Sequence, residues 1–367
     1  MRMLAFIISL IAYLTNIAYS QVDENSLFIN MEKKGFVYEN MLVIPVYASD
    51  QFIADNKNMG DFVNLKKALE DKLIVISERH SQIPTERSIN LNEADAPANA
   101  GLPANAGLTA NVEAPSPDVL TSEEISSMIV QTSSGLSDVN TLSITNNSDK
   151  LVYLMAGDLV KGGKQDRVIA KDMIIAAGVK NLDLSVFCVE QHRWHLKGDQ
   201  KDFGQYSKVV SNTVRGAVQV DKEQSEVWSK VSAVQSAHGV ESKTGAYSDV
   251  ESSKEFTEKR DKYIKHFENI FNESNNVIGM IVATGDSILG CDIFANPKLF
   301  KMQFNSLIHS YITDAISFGS EVKIDNDKII SFFNSTQKEY FAPRLEDSKQ
   351  EKRFFHNDRV VHFIKFK

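Results

Sequence analysis

The densest chemistry in the chain lies between Gly157 and Trp194, where two polar clusters interrupt apolar runs: Gly162-Gly163-Lys164-Gln165-Asp166-Arg167 and Cys188-Val189-Glu190-Gln191-His192-Arg193-Trp194. A Gly-Gly step can turn backbone N–H groups toward an anion. Lys164 and Arg167 add charge-assisted donors, so the first cluster suits a phosphate or a carboxylate. It is not a P-loop, because Asp158 and Gln165 stand where that pattern requires Gly and Ser or Thr. In the second cluster, strand periodicity sets Cys188, Glu190, His192 and Trp194 on one face and Gln191 and Arg193 on the other. Residues two apart on a strand point in parallel, which argues against a Cys188 nucleophile served by its own neighbours. Glu190 and Asp166 are the general-base candidates. Gly162, Gly163, Lys164, Gln165, Arg167, Glu190, Gln191, Arg193 and Trp194 are the candidate ligand-binding set. The competing reading is an ion-pair network in which Asp166 or Glu190 holds Arg167 or Arg193. His192 and His195 lack a helical His-Glu-x-x-His spacing, so no metal is assigned.

These clusters need a scaffold, and the bulk numbers allow a large one. The chain has 367 residues, 43% of them hydrophobic, with 48 acids against 40 bases. A formal charge of −8 gives no long-range attraction to nucleic acid or to an anionic membrane. At the N-terminus, Arg2, the apolar run Met3 to Leu14 and the small-x-small step Ala18-Tyr19-Ser20 have the three parts of a secretory signal peptide. Cleavage after Ser20 yields a secreted or periplasmic chain with no membrane span. Cys188 and Cys291 could pair in that compartment, or could serve as two buried small hydrophobes.

Short apolar segments divided by turn residues predict strands at Val43–Tyr47, Leu73–Ile76, Thr141–Ile144, Leu151–Met155, Val168–Ile175 and Leu182–Val189. Pro45 points to an edge or an early position for the first of them. Helical spacing covers Phe62–Leu69, Glu223–His238 and the face bearing Phe256, Tyr263 and Phe267, with Ser252 and Glu255 as a capping box. A hairpin turns at Gly285-Asp286, a helix opens at Pro297, and Val360–Phe366 alternates as a final strand. The copies Pro97–Leu102 and Pro103–Leu108 are too short to bury a core and predict a disordered loop over 92–118. The expected class is α+β, a largely antiparallel or mixed sheet carrying several amphipathic helices. Its divisions are a signal peptide at 1–20, one globular domain at 21–330 and a C-terminal extension at 331–367.

Ala156-Gly-Asp158, the Gly162–Arg167 cluster, Cys188–Gln191 with Arg193-Trp194, and later Asp292-Ile-Phe294 and Ser310-Tyr311 with Asp314-Ala315 resemble the protein domain family named for its association with ADP-ribosylglycohydrolases and rhodanese-phosphatases. The resemblance runs from about Asn40 to Phe318 and implies contact with NAD or ADP-ribose metabolism, without a defined reaction or cofactor. Three functions follow as expectations. The first is an envelope module binding a small anionic or sugar-like ligand. The second is a hydrolase or transferase acting on an ADP-ribose-like or other phosphorylated substrate. The third is a structural or partner-binding envelope protein. The oligomeric state stays open.

Overall fold

The computed structural model describes residues 26–32, 35–59, 61–79, 140–196, 201–343 and 351–367. The expected leader at 1–20 and the repeat loop at 92–118 lie outside the described residues. All strands and helices named below belong to one unit, formed by residues up to Glu78 and from Asn140 onward.

The fold is α+β, as the apolar patterning predicts. Its spine is a seven-stranded antiparallel sheet centred on the hairpin Val277–Thr284 and Ser287–Phe294. Every residue of Val277–Thr284 is buried, because both faces of that strand are covered. Met280 and Val282 pack with Phe300, Phe304, Leu307 and Tyr311 of helix Pro297–Ser317. The alternate residues Ile281 and Ala283 pack with Ile329, Phe333 and Tyr340 of helix Asn326–Tyr340. Asn296 caps the first helix and Asp325 the second, each accepting a backbone N–H three residues on.

A six-stranded antiparallel sheet runs Gln205–Val209, Asp158–Lys161, Arg167–Ile169, Leu182–Cys188, Thr141–Asn146, Ile74–Glu78. A three-stranded sheet joins Met173–Ile175, Leu151–Leu154 and Phe62–Asn64, the last pair parallel. The two share one apolar core that includes Val152, Leu154, Ile169, Leu184 and Val186. Leu182–Cys188 is central, as its two apolar faces predict, pairing with Thr141–Ile144 through one half and Arg167–Ile169 through the other.

Several local expectations are corrected. The run Val168–Ile175 is two strands of different sheets, broken at Ala170-Lys171-Asp172, because Asp172 turns its carboxylate inward to buried donors. Phe62–Leu69 is a short strand followed by a helix, since Asn64 caps Leu65–Glu70 by accepting from Lys67 N–H. Ser253, not Ser252, caps helix Lys254–Phe267. Pro45 sits in an inner strand, Met41–Ala48, opposite Met280. On the strand's outer side, Phe36–Tyr38 pairs with Met41 to Val43 and Leu27–Phe28 with Tyr47 and Ala48, so Pro45 falls in the gap between them. The C-terminal segment beyond residue 330 is part of the spine: Glu351–His356 pairs with Arg359–Phe366, which pairs with Ser287–Phe294. Cys188 and Cys291 are both buried and form no disulfide.

Candidate functional site

The structure brings the two sequence-predicted clusters together and closes them on each other. The strand ends at Cys188, so the alternation of faces stops there and Glu190 meets Arg193 across a turn. Arg193 Nη2 lies 2.6 Å from Glu190 and 3.4 Å from Asp166, and its Nη1 donates to the carbonyls of Gly163 and His195. Gln165 donates to the carbonyl of Glu190, and Arg167 to that of Gln165. Burial pushes the Asp166 carboxyl up, with the Glu190 charge adding to it. For Glu190, burial acts in the same direction but the Arg193 contact outweighs it and holds the carboxyl below its usual range.

The Gly-Gly turn does present a backbone donor to an anion, and the anion is the chain's own. Lys164 N–H donates to Glu78 Oε1 at 2.9 Å, and Arg167, only 1% exposed, lies 3.8 Å from the same carboxylate. Gly162 and Gly163 have positive φ, and a Cβ on either would sit 2.3 Å from the Asp202 carbonyl or 2.5 Å from the Phe203 ring. The Lys164 side chain is exposed, Gln191 is half-buried, and Trp194 is 54% exposed. Opposite charges about 4 Å apart attract by about 4 kcal/mol even at an effective dielectric near 20. A diffusing anion would have to displace carboxylates already tethered at that range.

A second polar network, centred in the core, gathers residues far apart in the chain. His362 of the last strand donates through Nδ1 to Asp172 at 2.6 Å and through Nε2 to Asp292 at 2.9 Å. Asp172 also accepts from Tyr153 Oη and from the Ala156 N–H. Asp292 is held by Arg215 at 2.7 Å and by the Tyr311 hydroxyl. Burial alone would lower the His362 pKa, but the two carboxylates raise it to about 9, so it is an imidazolium at neutral pH. Burial likewise opposes ionisation of Asp172 and Asp292, yet His362 for the first and Arg215 for the second hold both below the usual carboxylate range.

Asp172 and His362 also form the floor of a cleft of about 590 Å³, bounded by the Met173–Ile175 strand, the C-terminal hairpin and a turn near residue 220. That turn is made by Ser211 capping a short helix, Asn212–Gly216, which widens into a π-helical turn at Ala217–Asp221. It stops at Lys222, in the left-handed region with φ 57°. Such π turns are recurrent at functional sites. Among the described residues, the cleft's cations are Lys171, Lys222, Lys352, Arg353 and the His362 imidazolium, against one lining carboxylate, Asp172. Arg353 donates to the carbonyls of Glu339 and Ala342, which fixes it in the wall. Gln219 is 7% exposed, and its buried Nε2 has no hydrogen-bond partner among the described residues. A buried orphan donor costs about 1–3 kcal/mol, which a ligand acceptor would recover.

None of the cleft residues belongs to the sequence-predicted set. Lys171 and Asp172 were hidden inside an apparent strand, and the hairpin carrying Lys352 to His362 inside an apparent extension. The one available signal was the acid at Asp172 interrupting an apolar run. Among the described residues, no three His, Cys, Asp or Glu side chains are grouped to hold a metal. No described helix is long and apolar enough to cross a membrane.

The fold and cleft define an α+β protein with a basic pocket lined by its C-terminal hairpin. The chain belongs to the ARG and Rhodanese-Phosphatase-superfamily-associated Protein domain family, whose model matches residues 107–365. The match extends past the C-terminal limit near Phe318 expected from the motifs and takes in the hairpin. No curated protein and no solved structure matches the chain.

Proposed function

We propose that the protein is a binding module for a small anionic ligand, seated in the basic cleft and not at the Gly162–Trp194 clusters, and that it works in the cell envelope after export. The observation that carries the reading is the charge of the cleft: among its described lining residues four Lys and Arg side chains surround one carboxylate, whose charge His362 already neutralises. Binding is favoured over the hydrolase or transferase alternative by the same geometry. Both ring nitrogens of His362 are engaged, and Asp172 accepts from three donors, so this pair does not offer a general base. Export rests on the leader-like residues 1–20.

The test is a melting-temperature screen of the chain from Gln21 onward against pyrophosphate, sugar phosphates, ADP-ribose and neutral sugars at two salt concentrations. Phosphorylated compounds should raise the melting temperature, less so at high salt, and Lys222→Glu should remove the effect. No rise with any anion would refute the reading, and turnover of a screened compound would favour the enzymatic alternative.

A further inference from the structure

The cleft is two-sided in its chemistry, and this limits what can fill it. Lys171, Lys222 and Lys352 supply charge, while Met173, Ile174 and Phe354 present half-buried apolar surface to the same volume. Phe354 is held as a fixed plane: its ring stacks on Tyr153 at 6.2 Å and 25°, and the Tyr153 hydroxyl is anchored on Asp172. A bare oxoanion would occupy a small part of 590 Å³ and leave that wall wet. Gln219 lines the same volume, and its buried Nε2 is a directional donor without a partner among the described residues.

We propose that the ligand is an amphipathic oxoanion, a phosphate or carboxylate carried on a planar apolar body, and that Gln219 orients it by donating from Nε2. The proposal rests on the anion-binding reading above and narrows it to a ligand class. The oxoanion lies toward the lysines, the planar body lies along Met173, Ile174 and Phe354, and the amide pairs with an acceptor on the ligand. Gln219 thereby becomes a specificity-determining residue.

Calorimetric titration with phenyl phosphate, benzoate and inorganic phosphate tests this on wild type and on Gln219→Met, which keeps the side-chain volume and removes the donor. Phenyl phosphate or benzoate should bind at least about tenfold tighter than inorganic phosphate, and whichever is tighter identifies the head group. Gln219→Met should melt at or above the wild-type temperature and bind the aromatic anion several-fold more weakly. Gln219→Ala repeats the comparison if the Met variant loses its cooperative melt. Equal affinity for phenyl phosphate and inorganic phosphate, or unchanged affinity in both Gln219 variants, overturns the inference and leaves the anion reading standing. No binding of any of the three anions by wild type overturns the anion reading itself.

Discussion

His362 Nδ1 lies 2.6 Å from Asp172, which ties the last strand of the chain to the break between Arg167–Ile169 and Met173–Ile175. The contact also sets a pH dependence. The His362 pKa is about 9 when folded, above the 6.5 of a free imidazole. A raised folded pKa means that the folded state holds the proton more tightly. The resulting stability, on the order of 3 kcal/mol, is fully present below about pH 6.5 and is lost as pH rises through 9. Thermal melts of wild type should therefore fall steeply between pH 7 and 10, and His362→Gln, less stable at neutral pH, should show a flatter alkaline limb. An alkaline limb that is the same in both proteins would contradict the assignment.

Asp314 has the same sign in a more acidic window. Burial raises its carboxyl to about 7 and outweighs the donors that favour the charged form, the Thr213 N–H and hydroxyl on Oδ2 among them. Ionising it in the fold is therefore costly, and that cost grows as pH rises from about 4 through 7. Asp314→Asn keeps one acceptor for Thr213 and removes the charge. The variant should match wild type at or just below pH 4 and melt higher at pH 8; a lower melting temperature at both would refute the argument.

The scaffold was legible where apolar periodicity was strong. Val227, Val231 and Val234, the stripe from Phe300 to Ala315 and the hairpin at Gly285-Asp286 all fold as their spacing predicts. What failed were junctions decided by single polar residues: Asn64 starting a helix within an apolar run, and Asp172 ending a strand within another. The candidate site was less legible, because density of charge in sequence does not distinguish residues that face a ligand from residues that face each other. Arg193, Glu190 and Asp166 satisfy one another at close range, and that closure depends on a turn after Cys188 that strand periodicity cannot foresee. The cleft instead draws its lining from three distant segments, 170–174, 219–222 and 352–364, and its π turn leaves no signature in residue type.

Closure of the Gly162–Arg167 cluster onto Glu78 makes a prediction of its own. Glu78→Ala removes the carboxylate facing a nearly fully buried Arg167 and should destabilise the fold by about 3–5 kcal/mol. Gly162→Ala should also be severely destabilising, since its Cβ would meet the Asp202 carbonyl at 2.3 Å, whereas Gly178→Ala, with open space around it, should cost only about 1 kcal/mol for its left-handed backbone. Chemical denaturation of the three variants checks this ordering. A Glu78→Ala protein as stable as wild type would mean that the cluster is not a closed ion-pair network.

The location of the binding site is tested most directly by charge reversal at the two competing places. Phenyl phosphate affinity is measured for wild type, for Lys222→Glu with Lys352→Glu, and for Lys164→Glu, all at one low ionic strength. The cleft variant should lose binding by at least about a hundredfold, while Lys164→Glu stays within about twofold of wild type. Retained affinity in the cleft variant together with loss in Lys164→Glu would move the site back to the Gly-Gly turn and contradict the account.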